Sequence, residues 1–413
     1  MVSLDQNLYI FSLGRVPELS FMELKGLMSE GDQMIGYEDG FYALSLSKPL
    51  SNPQGILNIL GGTIKISKVL NELRFPVNTL TETACAVITH RILEKFASSS
   101  SKIVYGISVH NLHAKSENIL KNSLKNIKKF LTENGRSSRF VNKDFQNVHN
   151  VIVVQEKMID KGLEASIIKI GEKIYITETI AIQDFESYEH RDFNRPARNM
   201  DSGMLPPKTA QIMINLSGIN KFDSELQNKS PVIYDPFCGN GTILCEALLM
   251  GAEVVGSDKA EKAIKDTQIN INWLSKEYEL QEPKSYIFAK DINDLKASDL
   301  PDKIDAIIGE SYLGPRLLRK PTLEEIAAIS AELEILYIAT LKKLSKLKIK
   351  CPIILALAAF RDKFSYRYIE SIPEKALEFG FTVAPLSPKK RSSLIYDRPD
   401  QFVAREIFCF QLK

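Results

Sequence analysis

The chain has 413 residues, more than one hydrophobic core usually spans, so two to four domains are expected and a single small module is excluded. Hydrophobic residues make up 44% and charged residues 25% of it, and no apolar run approaches the roughly 20 residues needed to cross a bilayer, so no membrane association is expected. Lysine and arginine stand at 53 against 51 for aspartate and glutamate, a formal charge of +2 that neither demands nor forbids a nucleic acid partner.

The first residues carry no basic stretch followed by an apolar one and a small-residue cleavage site, so a cytoplasmic location is the expectation. The five cysteines, Cys85, Cys238, Cys245, Cys351 and Cys409, contain no Cys-x-x-Cys pair. They are expected as thiols, in neither a disulfide framework nor a zinc site.

In chain order, Leu8 to Leu13 reads as a strand. Gly14, Pro17 and a Ser20-x-x-Glu23 capping box then lead into a helix with Phe21, Leu24, Leu27 and Met28 at apolar positions. A strand at Phe41 to Leu46, a helix at Pro53 to Leu60 and a strand at Thr63 to Val69 complete an expected small α+β domain, residues 1–75.

From Lys102 a strand (Ile103 to Val109) precedes a helix whose Leu120, Leu124, Ile127 and Leu131 lie on one side and Lys121, Lys125 and Lys128 on another. The lysine stripe reads either as the solvated face opposite a core or as phosphate contacts. Strands at Leu163 to Ile170 and Lys173 to Ile182, turned by Gly171-Glu172, close a second α+β unit over residues 76–183.

Residues 184–207 are polar, proline-marked and without a regular period, so they read as a linker. Arg191, Arg195 and Arg198 there are interleaved with Tyr188 and Phe193. That composition suits phosphate pairing and base stacking, or equally an ordered connector packed on its neighbours. His110-x-x-His113 has metal-like spacing but no third ligand, and a surface turn is expected with no metal.

A helix from Lys208 to Leu216 leads to Pro231-Val-Ile-Tyr-Asp-Pro-Phe-Cys-Gly-Asn-Gly-Thr242, an apolar strand, a glycine turn and the start of a helix stopped by Gly251. Gly239 and Gly241 permit positive φ and close backbone approach, and Asp235 ends the strand in a carboxylate. Neither Gly-Lys-Ser/Thr nor Gly-x-Gly-x-x-Gly is present, so a ligand less anionic than a nucleotide phosphate fits better. Cys238 in this turn reads as a small neutral filler.

The next strand ends in Asp258, about 20 residues on, the spacing at which a carboxylate meets ribose hydroxyls. A third ends in Asp291, which with Ile292 suits an adenine amine against an apolar wall. A fourth ends in Glu310, followed by Ser311 and Tyr312. Any one such acid is commonly a cap or turn former. Four in succession predict a shared crevice at the carboxyl ends of a parallel sheet, and with the glycine turn they point to S-adenosylmethionine as cofactor.

The run Asp235-Pro-Phe-Cys-Gly-Asn-Gly-Thr242 resembles the cofactor motif of class I methyltransferases that modify exocyclic amines of nucleobases. Leu8 to Ser20, Ala181 to Glu186, Arg191 to Pro196, Gly203 to Lys208 and Leu394 to Gln401 are similar to THUMP-containing tRNA guanosine-10 N2-methyltransferases, nearly end to end.

The resemblance implies an α/β fold: a ferredoxin-like domain (1–75), a THUMP RNA-binding domain (76–183), a linker (184–207) and a Rossmann-like methyltransferase domain (208–413). It also implies tRNA as partner, so that the lysine stripe, the three linker arginines and the basic loop Lys389, Lys390, Arg391 become candidate RNA contacts, the last being equally a solvated loop. An activating subunit has no signature here. Cofactor contacts are expected at Asp235, Pro236, Phe237, Cys238, Gly239, Asn240, Gly241, Thr242, Asp258, Lys259, Asp291, Ile292 and Glu310.

A guanine 2-amino group is a poor nucleophile because its lone pair is delocalised, so acceptors must draw on its hydrogens. The resembled family does this with Asp-Pro-Pro-Tyr. Here Glu310-Ser-Tyr-Leu-Gly314 stands in that place, one methylene longer and without the prolines. Glu310 is expected to accept from the target amine, the Ser311 carbonyl to assist and Tyr312 to stack on the base. Competing readings are a helix cap at Glu310, methylation of another RNA amine or of DNA adenine, and a tRNA-binding protein that retains the fold without turnover.

Overall fold

The computed structural model describes residues 5–198, 204–219, 230–362, 365–387, 391–399 and 401–413. Through residue 193 the elements are β1 (Leu8–Leu13), α1 (Pro17–Leu27), β2 (Gln33–Glu38), β3 (Phe41–Ser45), α2 (Pro53–Asn58), β4 (Thr63–Arg74), α3 (Leu80–Lys95), β5 (Ile103–His110), α4 (Ser116–Glu133), β6 (Ser138–Phe140), α5 (Asn150–Gln155), α6 (Met158–Lys161), β7 (Gly162–Ile170), β8 (Lys173–Ile182) and α7 (Phe185–Phe193). There follow α8 (Pro207–Leu216), β9 (Val232–Asp235), α9 (Thr242–Leu249), β10 (Glu253–Asp258), α10 (Glu261–Glu277), β11 (Ser285–Ala289), β12 (Ala306–Glu310), α11 (Leu323–Leu347), β13 (Pro352–Asp362), β14 (Ser365–Arg367), α12 (Ile372–Glu378), β15 (Phe381–Val383), β16 (Leu394–Tyr396) and β17 (Val403–Leu412). Among the described residues no helix is long and apolar enough to cross a membrane.

Two compact units divide the chain. The first holds residues up to 17, 29–58 and 63–183, around an eight-stranded sheet ordered β2-β3-β1-β4-β8-β7-β5-β6. Residues 1–75 and 76–183, expected as separate domains, both feed strands into this one sheet, with β4 antiparallel to β8. The apolar stripe of α4 behaves as its spacing predicts: Leu120, Leu124, Ile127 and Leu131 are buried with Ile103, Tyr105 and Ile107 of β5. His110 ends β5 against the Phe41 ring, 4.7 Å between centroids, where burial pushes its imidazole down to about 4.

The second unit holds residues 18–28, 59–62 and 184–413. Its sheet runs β11-β10-β9-β12-β13-β17-β15, with β14 on β13 and β16 on β17. Strands β11, β10, β9, β12 and β13 are parallel, while β17 is antiparallel to β13 and to β15. The chain builds outward from β9 to β11 on one side and from β12 onward on the other, so the order reverses between β9 and β12. Crossover helices diverge there and leave a crevice at the strands' carboxyl ends. A reciprocal capping box starts α11: Glu325 N–H donates to Thr322 Oγ1 (3.2 Å) and Thr322 N–H to the Glu325 carboxylate (2.8 Å).

The Ser20-x-x-Glu23 capping box is corrected. α1 begins at Pro17, three residues earlier, because proline with its fixed φ and missing N–H suits the first helical turn. Ser20 and Glu23 are therefore interior and buried. The Glu23 carboxylate accepts from Gly61 N–H, Gly62 N–H and Asn215 Nδ2, each at 2.8 Å. Burial outweighs those donors and lifts its pKa to about 7.

Residues 184–207 are also not without structure. Asp184 caps α7 by accepting from Ser187 N–H at 3.0 Å. On α7, Arg191 is buried and donates Nε–H to Glu246 of α9 (2.8 Å) and a second N–H to Ser187 Oγ (2.6 Å), with its guanidinium 4.4 Å from the Tyr188 ring. Burial raises the Glu246 carboxyl, and Arg191 opposes that rise. Removing one partner of such a pair strands the other charge in a poor solvent. Arg191→Met is expected to lower stability by about 3–5 kcal/mol in urea unfolding. The double variant Arg191→Met/Glu246→Leu should recover most of that loss, and an equally unstable double variant would refute the account.

Candidate functional site

The turn after β9 is built from residues that tolerate tight backbone. Gly239 has φ of 55° and Gly241 of 80°, and a Cβ on Gly241 would stand 2.9 Å from Thr267 Cγ2, so both the left-handed backbone and the contact distance favour glycine at 241. α10 braces the turn from the side: Thr267 Oγ1 donates to Gly239 O (2.8 Å) and Asn270 Nδ2 to Asn240 O (2.7 Å).

The four strand-end acids converge. Asp258 at the end of β10 accepts from Gly239 N–H (3.1 Å) and Ala260 N–H (2.9 Å), so its carboxylate is oriented by the same turn. Asp291 accepts from Asn293 N–H at 2.8 Å, capping a short 3₁₀ turn. The dull role of a cap and a place in the crevice therefore coexist in one residue. Asp235 is buried and accepts from Phe237 N–H at 3.0 Å. Glu310 at the end of β12 pairs with Arg405 of β17.

These side chains line one cavity of about 420 Å³ within the second unit. Its walls bring together Asp235, Pro236, Phe237, Cys238, Gly239, Asn240, Thr242, Asp258, Lys259, Asp291, Ile292, Glu310, Ser311 and Tyr312. Gly241 supports the turn from behind and is not on the wall. The wall also includes Met204, Leu205, Lys262, Asp266, Lys290, Leu313 and Leu336, which sequence reading did not single out. Lys262 and Asp266 had a signal, an i,i+4 pair (2.7 Å) opening the helix after Asp258. Leu336, on α11, had none.

Acids outnumber bases on the wall, where Lys259, Lys262 and Lys290 stand among Asp235, Asp258, Asp266, Asp291 and Glu310. Burial, then the neighbouring charges of Asp258 and Glu310, raise the Asp235 carboxyl well above the ordinary range, against one backbone N–H that favours its anion. A cationic group entering the cavity would offset that repulsion. Burial and Asp235 also push the Cys238 thiol up, keeping it neutral as a space-filling side chain. Ser311 Oγ is buried without a hydrogen-bond partner among the described residues, and Tyr312 is 57% exposed at the mouth.

The basic candidates separate. Lys121 and Lys125 are exposed on α4, their ammonium groups 5.6 and 5.9 Å from the Phe145 ring, and Lys128 bonds the Ser138 carbonyl. Arg191 and Arg195 correct the expectation of RNA contact: both are buried, Arg191 on Glu246 and Arg195 on Thr242 Oγ1 at 2.5 Å. Their charges serve the packing of α7 and α9. Arg198 donates to Phe193 O (3.2 Å). Arg391 is engaged by Glu406 and Glu370. Lys389 and Lys390 lie outside the described residues.

Residues 195–334 match the UPF0020 family, described as RMKL-like, methyltransferase domain. A tRNA (guanine(10)-N2)-dimethyltransferase from Methanothermobacter thermautotrophicus is 33% identical over 147 residues, 35% of this chain and 38% of that protein. The namesake from Methanocaldococcus jannaschii is 28% identical over 157 residues, 37% of this chain and 40% of that protein. The matches thus span well under half the length of these two relatives.

A protein from Methanothermococcus thermolithotrophicus named "Probable tRNA (guanine(10)-N2)-dimethyltransferase" is 32% identical over 122 residues, 29% of this chain and 68% of that protein. The crystal structure of TrmN from Thermus thermophilus aligns over 98% of this chain and 100% of its own at a TM-score of 0.53 and 13% identity, which establishes a shared fold.

Gly241→Ala tests the turn. A side chain at φ of 80° against Thr267 is expected to cost about 1–3 kcal/mol in chemical denaturation. Gly251→Ala has a similar φ of 83° and open space around it, so it separates backbone strain from collision. Equal losses at the two positions would count against the Thr267 contact.

Proposed function

We infer that this chain, which belongs to the tRNA (guanine(10)-N2)-dimethyltransferase family, transfers methyl groups from S-adenosylmethionine to an exocyclic base amine of tRNA, most simply guanine N2. The observation that carries the reading is the gathering of Asp235, Asp258, Asp291 and Glu310 around one cavity behind a double-glycine turn.

The walls suit the cofactor. Each carboxylate oxygen has two lone pairs, so Asp258 can hold ribose hydroxyls while keeping its backbone donors, and Asp291 can hold an adenine amine beside buried Ile292. The backbone from Pro236 to Asn240 is left free of bulk at Gly239, with Thr242 at the helix start and exposed Lys259 on the rim. A sulfonium cation would offset the charges of Asp258 and Glu310 and in turn favour the Asp235 anion. When bound there, S-adenosylmethionine supplies an electrophilic methyl group.

The chain's own residues then act on the acceptor. Glu310 and the Ser311 carbonyl take hydrogen bonds from the target amine, which restores lone-pair density to the nitrogen. Tyr312, open at the mouth, stacks on the base, and Leu313 with Leu336 closes the apolar side of the cavity. Exposed Lys121 and Lys125 of the first unit are assigned to tRNA phosphate.

Incubation of the chain with labelled S-adenosylmethionine and total tRNA, followed by nucleoside mass analysis, is expected to yield N2-methylated guanosine. Glu310→Ala should reduce the rate by about 100-fold or more and leave S-adenosylhomocysteine affinity within about 2-fold. Cofactor binding without transfer to any tRNA would instead select the RNA-binding reading.

Because the Asp235 pKa is raised, its carboxyl stays protonated to higher pH than usual. Donor affinity is therefore expected to weaken as pH falls, and in Asp235→Asn that dependence should flatten. Titration calorimetry across pH checks this, and affinity that rises toward acid would contradict it.

A further inference from the structure

We propose that Arg405 is a positioning residue for Glu310, replacing the stiffness that two prolines give the turn this site resembles; the proposal rests on the methyl-transfer reading above. Glu310 Oε1 accepts from Arg405 Nε. One oxygen is thus held on the sheet while the carboxylate lines the cavity.

The register explains how the arginine reaches it. Glu310 of β12 lies beside Ala356 of β13, which pairs with Ile407 of β17, and one pleat further along Ala358 pairs with Arg405. These side chains share a face, since alternate residues on a strand point the same way. Two strand spacings, about 10 Å, separate β12 from β17. Ala356 and Ala358 are both buried, and their methyl groups leave an open lane over the intervening strand. Arg405 is 3% exposed, and its guanidinium lies 5.8 Å from the Tyr396 ring on the paired β16, so it arrives with few rotamers left.

The adjoining backbone is tied down as well. Ser311 N–H donates to Ala356 O (3.1 Å), Tyr337 O–H to Tyr312 O (2.7 Å), and Ala358 N–H to Tyr337 Oη (3.0 Å). Both residues that follow the acid, Ser311 and Tyr312, are bound to β13 directly or through Tyr337. A glutamate has one more rotatable bond than an aspartate, and the ion pair removes that freedom. The positive charge also keeps two neighbouring acids, Glu310 and Asp235, compatible in one cavity.

The test is a double-mutant cycle with Arg405→Met, Glu310→Gln and their combination, plus Arg405→Lys as the conservative variant. Read in parallel are single-turnover methyl transfer, tRNA KM, S-adenosylhomocysteine affinity and thermal midpoint. Arg405→Met is expected to lower kcat by about 10–100-fold, with KM and S-adenosylhomocysteine affinity within about 3-fold of the parent, and Arg405→Lys should recover part of the rate.

In the Glu310→Gln background, Arg405→Met should change kcat by less than about 2-fold. The double variant, free of an unpaired buried charge, should have a higher midpoint than Arg405→Met alone. A full-sized kcat loss in the Glu310→Gln background, or an Arg405→Met variant as fast as the parent, overturns the role. A parent protein that transfers no methyl group to tRNA refutes the functional reading itself, and the role of Arg405 with it.

Discussion

Everything at this site depends on the reversal of strand order between β9 and β12. A parallel sheet buries both faces under helices, so the only place left open to a ligand is where neighbouring crossovers part. Asp235 and Glu310 end the two strands that flank that parting, Asp258 ends the next one outward, and Asp291 follows the end of β11 by two residues. The cavity is a consequence of topology, and its charge is a consequence of which residue happens to stop each strand.

That arrangement is electrostatically uncomfortable. Four carboxyl groups line one cavity, and burial first, then the charges of Asp258 and Glu310, raise the Asp235 carboxyl. The fold answers in two ways. Backbone N–H groups orient Asp235, Asp258 and Asp291, and among the described residues a countercharge pairs with Glu310 and with none of the other three. Such asymmetry sets Glu310 apart from the other three acids of the cavity.

Buried ions recur in the scaffold around the site. Arg191 with Glu246 couples α7 to α9, the helix that the glycine turn opens into. Arg195 meets Thr242 at the first residue of that helix. Two arginines whose spacing with aromatics suggests RNA contact thus stabilise the base of the cavity from within. Lys121 and Lys125 of α4, by contrast, are exposed.

Local pattern alone determined a great deal: the strand at Leu8 to Leu13, the turn at Gly171, the apolar stripe of α4, the double-glycine turn and each strand-ending acid. These follow from short-range rules of period, turn geometry and spacing. Tertiary structure decided what those rules cannot reach. Ser20-x-x-Glu23 has a capping signature, yet Pro17 starts the helix earlier and Glu23 binds Gly61, Gly62 and Asn215, far away in the chain. Arg405 lies 95 residues from Glu310 and is adjacent to it only through the register of β12, β13 and β17. Whether a charged side chain faces water or a partner is set by the sheet that assembles around it, and no window of neighbouring residues carries that information.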